Sequence, residues 1–229
     1  MKVNPTQIQE LYTFTRDHFV EHYDLQTELV DHLSNGIEAQ WKENPQLNFK
    51  EALNREFKKF GVFGFQDVIS ERVKAMEKRY LAYIWRFFKD YFTFPKVALT
   101  VFLIALCYTL LRLLPAEIGI GVVYGVYFMS LLFMFYKTFK FRKQQRSKER
   151  RWIMEDLIFQ HLGYLNVGFM PIYLFSWNIN SENLQSEWWL ILISIGLPCI
   201  CLFLHIVTNI IPQKAEELLE ETYPEYRIA

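Results

Sequence analysis

Two histidines in the apolar part of the chain are the residues whose type and spacing could best support chemistry. His161 and His205 lie on different apolar segments, and each shares a helical polar stripe with other hydrogen-bonding side chains. At a rise of ~1.5 Å per residue, both imidazoles would lie about 6 to 9 Å from the same membrane boundary. We therefore predict one intramembrane polar pocket, with Tyr164, Thr208 and Asn209 as its other members.

This histidine pair leaves two interpretations open. One is a membrane carrier or redox subunit that uses the kinked third and fourth spans with His161 and His205, and two histidines on neighbouring spans can ligate a b-type haem. Polar groups in apolar helices more often join the helices by hydrogen bonds, and this is the interpretation that we favour. The prediction is therefore no resident cofactor, with haem or a metal as the less favoured alternative.

A second polar group, in the N-terminal part, has residue types that could ligate a metal. It consists of His18, His22, Asp24, Glu28, Asp31 and His32. Two pairs within it are one helical turn apart, so each pair could present two ligands on one helix face. No compact motif such as HExxH is present, and His32 lies beside leucines of the expected core face. We predict core packing and solvated charge here, and no metal.

The sequence carries no recognisable catalytic motif. It has no P-loop, no nucleophile elbow and no dinucleotide-binding fingerprint. The interiors of the predicted spans contain no Asp or Glu, the usual residues of proton pumps and intramembrane proteases. We predict a non-enzymatic protein with no catalytic residues.

Composition separates the chain into two unlike parts. The 229 residues include 25 Lys and Arg against 25 Asp and Glu, so the net charge is zero, and the overall field does not favour nucleic acid. Mean hydropathy is +0.03, but the charges concentrate in residues 1–96 and long uncharged runs follow. All three cysteines lie in those runs, so no extramembrane disulfide framework is expected.

Apolar runs long enough to cross ~30 Å of hydrocarbon occur after residue 96. They are residues 97–114, 118–136, 157–177 and 188–211. Only residues 115–117 join the first two runs, so these should form an antiparallel hairpin. Gly121 and Gly125 form a GxxxG pair that predicts close helix packing. Pro171 and Pro198 should kink the third and fourth spans.

The loops predict the orientation, because Lys and Arg near span ends stay in the cytosol. The loop 137–156 is basic, whereas the connection 178–187 carries only two acidic residues and no basic one. The N-terminal part, this loop and the acidic tail 212–229 are therefore predicted to be cytosolic, and the tail could pair with the loop. Five loop residues could also contact anionic lipid, namely Lys137, Lys140, Arg142, Lys143 and Arg146. Direct binding of nucleic acid is not predicted.

Residues 1–80 predict a head of four helices. The first should run from Pro5 to Glu21 with Asn4 as its cap, and Asp24 should cap the second. Asn48 should cap the third, and the fourth should follow GVFGF and lead into an interfacial aromatic end, 81–96. The apolar faces contain Leu25, Leu29, Leu33, Leu53, Phe57 and Phe60. The predicted fold is all-α, with this cytosolic helical domain followed by a four-helix transmembrane bundle.

Three segments of the head, ELVDHLSNGIEAQW, FKEAL and FKKFG, resemble the helical signalling domain HAAS. The resemblance covers about Leu25 to Ser70 and extends in outline to four-span bacterial membrane proteins with such a head. It implies a sensing or protein-docking role, often beside a PadR-type transcription regulator. The expectation is a signalling or regulatory anchor of the bacterial inner membrane, with both termini cytosolic and a cytosolic protein partner.

Overall fold

The structure of this protein is a computed structural model that describes residues 2–145, 150–159, 186–224 and 226. Throughout these residues the regular elements are helices, without any strand. The all-α prediction is confirmed for this part of the chain. The described chain divides into two compact units. The N-terminal unit comprises residues 2–78 and 150–156, and the apolar unit comprises the remainder.

The N-terminal unit is built from helices that begin at the predicted caps. Its helices are α1 (Pro5–Asp17), α2 (Tyr23–Glu43), α3 (Phe49–Lys58) and the first part of α4 (Gln66–Asp90). The Asn4 side chain accepts from the Gln7 amide at 2.8 Å, and the Gln7 side chain accepts from the Asn4 amide at 2.9 Å. Asn48 accepts from the Lys50 amide at 3.3 Å. The predicted caps Asn4 and Asn48 are confirmed.

The junction of α1 and α2 differs from the prediction. Helix α1 ends at Asp17 rather than at Glu21, because the chain turns at Phe19, whose φ is 64°. This turn buries Val20, and the Val20 carbonyl accepts from the Gln26 side-chain amide at 2.6 Å. Asp24 is not the cap of α2, since it lies in the first turn and its carboxylate is used elsewhere.

Helix α2 provides the core of the N-terminal unit. Its four-residue apolar repeat is buried along its full length, as the sequence predicts, at Leu25, Leu29, Leu33, Ile37 and Trp41. Phe57 and Phe60 are half-buried and belong to a cluster of rings that also includes Phe14, His18 and Phe65. The predicted apolar faces of α2 and α3 therefore meet inside this unit.

Gly36, in the middle of α2, makes room for a buried carboxylate on α3. Glu56 is buried, and its Oε1 atom accepts from Gln40 Nε2 and from Lys59 Nζ, each at 2.6 Å. A Cβ atom at position 36 would lie 2.5 Å from Glu56 Oε2 and 2.9 Å from Glu56 Cγ. The close approach of Glu56 explains a glycine where helix propensity alone favours alanine.

The apolar unit contains the membrane-spanning candidates. Its helices are the end of α4, then α5 (Lys96–Leu113), α6 (Ala116–Gln145), the end of α7 (Ile153–Phe159), α8 (Glu187–His205), a π-helical turn (Ile206–Ile210), α9 (Ile211–Gln213) and α10 (Ala215–Thr222). In the described part of the chain, three stretches are long and apolar enough to cross a membrane: Lys96–Leu113, Glu117–Lys137 and Glu187–Gln213. Most of the predicted third span, 157–177, lies outside the described residues.

The predicted basic loop 137–156 is helical at both ends. Helix α6 continues to Gln145, and α7 begins at Ile153. Trp152, Ile153 and Met154 are 3%, 2% and 0% exposed and belong to the N-terminal unit. These three apolar residues gain more from burial than from solvation in a loop, which explains the difference from the prediction.

Helices α5, α6 and α8 pack together in the apolar unit. Their buried cluster includes Leu111 from α5, Leu131 from α6 and Ile193 from α8. Arg112, near the end of α5, lies 3.9 Å from Glu187, at the start of α8. Helices α5 and α8 therefore run in opposite directions.

The acidic tail packs on α4 within the apolar unit. Arg86 pairs with Glu221 at 3.3 Å, and Arg79 Nη2 donates to the Glu221 carbonyl at 2.9 Å. The Tyr83 and Thr222 hydroxyls lie 3.2 Å apart. Glu221 thus pairs with α4, rather than with the basic loop as the charges suggest.

The predicted interfacial segment 81–96 carries exposed aromatic side chains. The rings of Trp85 and Phe88 are 5.6 Å apart, and the rings of Phe88 and Phe92 are 5.2 Å apart. Burial raises the pKa of Tyr91 above its ordinary value. Lys96 Nζ lies 5.1 Å from the centre of the Tyr91 ring. An aromatic row beside a lysine is typical of a helix end at the headgroup level.

The Gly36–Glu56 contact predicts that adding a methyl group at position 36 destabilises α2. Gly36→Ala gains ~1 kcal/mol of helix propensity but overpacks the Glu56 carboxylate, at a typical cost of ~1 to 3 kcal/mol. We expect the opening free energy of the α2 amides, measured by hydrogen exchange on the full chain, to fall. In a Glu56→Ala background the same change should be neutral or stabilising. Stabilisation by Gly36→Ala in the wild-type chain would contradict the contact.

Candidate functional site

A groove of about 660 Å³ lies between α6 and the last apolar stretch. From α6 it is lined by Val122, Gly125, Val126, Met129, Ser130 and Phe133, and from the other side by Cys201, Leu204, His205, Thr208 and Asn209. The groove is mainly apolar and carries its polar groups at one end. It contains three of the residues that the sequence predicts for an intramembrane pocket.

The polar end of the groove coincides with the π-helical turn. Thr208 is buried and donates to the Leu204 carbonyl at 2.6 Å. Asn209 Nδ2 lies 3.1 Å from Thr208 Oγ1 and 3.3 Å from His205 Nδ1. Pro212 follows the turn and has no N–H for residue 208, which accounts for a widened helix at this point. Apolar periodicity does not predict this turn, and Pro212 is the signal for it in the sequence.

Pro198 and the GxxxG pair lie within the described residues. Helix α8 continues through Pro198 as one helix, and the kink predicted there stays a prediction. A Cβ atom at Gly121 or Gly125 would meet no atom of the described residues within 4 Å, and Gly125 lines the groove. None of the described helices therefore packs closely on this GxxxG pair.

His161, Tyr164 and Pro171 lie outside the described residues. The shared pocket of His161 and His205, the kink at Pro171 and the haem alternative therefore stay predictions. His205 itself is exposed on the groove wall and contacts Asn209. An absorbance scan for a Soret band tests the haem alternative directly.

The basic residues after the second span are described in part. Lys137 Nζ lies 5.5 Å from the centre of the Phe133 ring, and Lys140 is exposed on α6. Arg142 and Lys143 continue α6, but their side chains lie outside the description, as does Arg146. Their contact with anionic lipid stays a prediction.

A second candidate site lies in the N-terminal unit, where residues 150–156 dock on the start of α2. We call this arrangement the clasp. The Ile153 amide donates to Asp24 Oδ1 at 3.4 Å, and the Tyr23 amide donates to the Arg151 carbonyl at 2.7 Å. His22 Nε2 lies 3.1 Å from Asp156 Oδ2. Each side of the contact therefore donates one backbone hydrogen bond to the other side.

Aromatic and charged side chains surround the clasp. The Trp152 ring packs edge-on against the Tyr23 ring with centroids 5.4 Å apart. The Arg150 guanidinium carbon lies 4.7 Å from the centre of the Tyr23 ring, and Arg151 pairs with Glu21 at 3.0 Å. The sequence analysis missed this site, because its two halves are more than a hundred residues apart and no spacing rule connects them.

Five of the six residues considered for a metal make other contacts, and two of them, His22 and Asp24, belong to the clasp. His18 packs its ring on Phe57 and bonds the Phe14 carbonyl at 2.8 Å, and the His32 ring contacts Phe60. Glu28 pairs with Arg72 of α4 at 3.2 Å. Among the described residues, no three His, Cys, Asp or Glu side chains converge as metal ligands would.

The N-terminal unit also exposes apolar side chains beside its ring cluster. Phe19 is 78%, Val62 97% and Phe63 71% exposed. Phe19 follows His18 of the cluster, and the other two lie in the turn just before Phe65. Exposed aromatic residues grouped at one end of a domain are typical of a protein-binding surface. We call this group the apolar patch.

The clasp predicts the effect of removing one carboxylate. Asp24→Ala leaves the buried Ile153 amide without that acceptor, at a typical cost of ~1 to 3 kcal/mol. We expect hydrogen exchange at residues 152–154 of the full chain to rise by about fivefold to a hundredfold. Asp31→Ala, on an exposed part of α2, is the matched control and should leave this exchange unchanged. Equal exchange in both variants would show that Asp24 does not hold the clasp.

Comparisons of the chain with known proteins supply no relative from which to transfer a function. No family model, no curated protein and no solved structure matches it. The functional argument therefore rests on the residues of the two sites.

Proposed function

We propose that this protein is a non-enzymatic signalling or regulatory anchor of the bacterial inner membrane. Its N-terminal unit is a HAAS-like cytosolic head that docks a protein partner, and a PadR-type regulator is the partner class that the resemblance implies. The clasp is the observation that carries the proposal. Residues 150–156 lie between α6 and α8 in the chain, and residues 152–154 are buried in the core of the head. The head is therefore built in part from a segment that connects apolar helices.

The clasp offers a physical route for a signal. The head is joined to the apolar unit through α4 and again at both ends of residues 150–156. A partner that binds the closed and open clasp with different affinity shifts their equilibrium. By linkage, a change that pulls on residues 150–156 alters the affinity for that partner by the same factor. The sensing role therefore needs only this one two-state element.

The apolar unit supports a bundle of four spans. Helix α4, before the first span, contacts α10, after the last, so both lie on one side of the membrane. Arg112 lies 3.9 Å from Glu187, which supports a topology in which the end of α5 and the start of α8 share the opposite side. Helix α6 returns the chain to the first side, so an odd number of further crossings is needed before Glu187. The predicted span 157–177 supplies one.

This topology is tested by labelling cysteines in intact cells. We expect an impermeant thiol reagent to label Ser186→Cys, at the outer start of α8, and to spare Thr6→Cys in the head. Both positions are exposed. The three native cysteines lie in the spans and are replaced beforehand. Labelling of Thr6→Cys in unbroken cells would contradict the cytosolic head.

Partner docking is tested by photo-cross-linking in living cells. A benzophenone amino acid at Phe63, in the apolar patch, should give one discrete cross-linked protein band. The same residue at Asn35, exposed on α2, is the control and should give none. The band at Phe63 should weaken in the Asp24→Ala variant if docking and the clasp are coupled. The absence of a specific band at the apolar patch would contradict docking there.

A further inference from the structure

A cleft of about 900 Å³ opens in the N-terminal unit beside the clasp. It lies between α1, the start of α2 and residues 150–151. Its charged lining residues are Arg16, Arg150 and Arg151 and one acidic residue, Glu21. Three positive charges against one negative charge leave the cleft with a net charge of +2. The cleft is therefore locally positive, although the net charge of the whole chain is zero.

The three arginines differ in how they are engaged. Arg151 is paired with Glu21, and Arg150 lies over the Tyr23 ring. Arg16, at the end of α1, is exposed and has no ion-pair partner among the described residues. At least one guanidinium group in the cleft is thus available for a ligand. Helix α2 also begins beside the cleft, and His22, the residue before it, makes no side-chain capping bond. The N-terminus of α2 therefore adds the positive end of a helix dipole.

Aromatic rings line the same cleft. Tyr12 and Tyr23 present nearly parallel rings, 6° apart in orientation, with centroids separated by 6.4 Å. The Tyr12 hydroxyl lies 3.2 Å from Thr27 Oγ1, and Gln9 and Gln26 add polar residues to the lining. The volume is within the range of about 300 to 1,000 Å³ that small-molecule sites occupy. The arrangement combines charge and concavity, as recognition of an anionic group requires.

We propose that this cleft binds a phosphate-bearing anion. A guanidinium group matches a phosphate with two parallel donors and remains charged at any physiological pH. The phosphate could belong to a soluble metabolite or to a phospholipid headgroup, and the chemistry of recognition is the same. Because Arg150 and Arg151 belong to the clasp, the bound anion would hold the clasp closed. This regulatory role rests on the proposed function, whereas the affinity for phosphate does not.

The soluble source is tested with inorganic pyrophosphate and the full-length protein in nanodiscs of neutral phosphatidylcholine. Calorimetry should detect binding, and hydrogen exchange at residues 150–153 should slow. Arg16→Gln should weaken the Kd by about tenfold or more, since a hydrogen bond to a charged group typically contributes that factor. Arg55→Gln, an exposed arginine of α3 outside the cleft, should leave the Kd unchanged.

The lipid source is tested without pyrophosphate, by replacing the neutral lipid with anionic phosphatidylglycerol. A headgroup ligand should slow exchange at residues 150–153 in the wild type and in Arg55→Gln, but not in Arg16→Gln. An Arg16-dependent effect in either arm supports the site and identifies its source. The proposal is overturned if neither arm shows one, or if Arg16→Gln and Arg55→Gln behave alike. Failure of partner cross-linking would leave this result intact, so the two proposals fail separately.

Discussion

The arrangement of the N-terminal unit depends on the burial of residues 152–154 against the start of α2. A buried backbone amide needs an acceptor, and Asp24 supplies one to Ile153. Asp24 is itself buried, which is tolerable for a carboxylate only where donors surround it. The same contact directs Arg150 and Arg151 onto the face where the cleft opens. The contact between residues 152–154 and the start of α2 therefore underlies the clasp, the proposed coupling and the anion cleft.

The apolar unit is organised by contacts at its two ends. Arg112 and Glu187 join the end of α5 to the start of α8, and Arg86 and Glu221 join α4 to α10. Exposed ion pairs of this kind contribute little energy, about 0 to 1 kcal/mol each. They show instead which helix ends lie next to each other. The π-helical turn before Pro212 then leaves the polar groups of Thr208 and Asn209 at the side of the groove.

Local sequence rules predicted the features that depend on neighbouring residues. The four-residue repeat of α2, the caps at Asn4 and Asn48 and the apolar spans all follow from periodicity and capping chemistry. Features set by distant parts of the chain were not predicted. Aspartate commonly caps helices, but the carboxylate of Asp24 accepts a hydrogen bond from the amide of Ile153, 129 positions away. Gly36 has the low propensity of a helix breaker, and only the position of Glu56 explains it.

A distance measurement can show whether residues 150–156 are held in the N-terminal unit. Spin labels at Thr13 on α1 and at Arg150, in a cysteine-free full-length background in nanodiscs, report this distance by pulsed electron resonance. Both positions are exposed. If the clasp holds residues 150–156 on the head, the labels should give a single narrow distance distribution. A broad distribution in the otherwise unaltered protein would show that the segment is not held by the head, and the clasp would be contradicted.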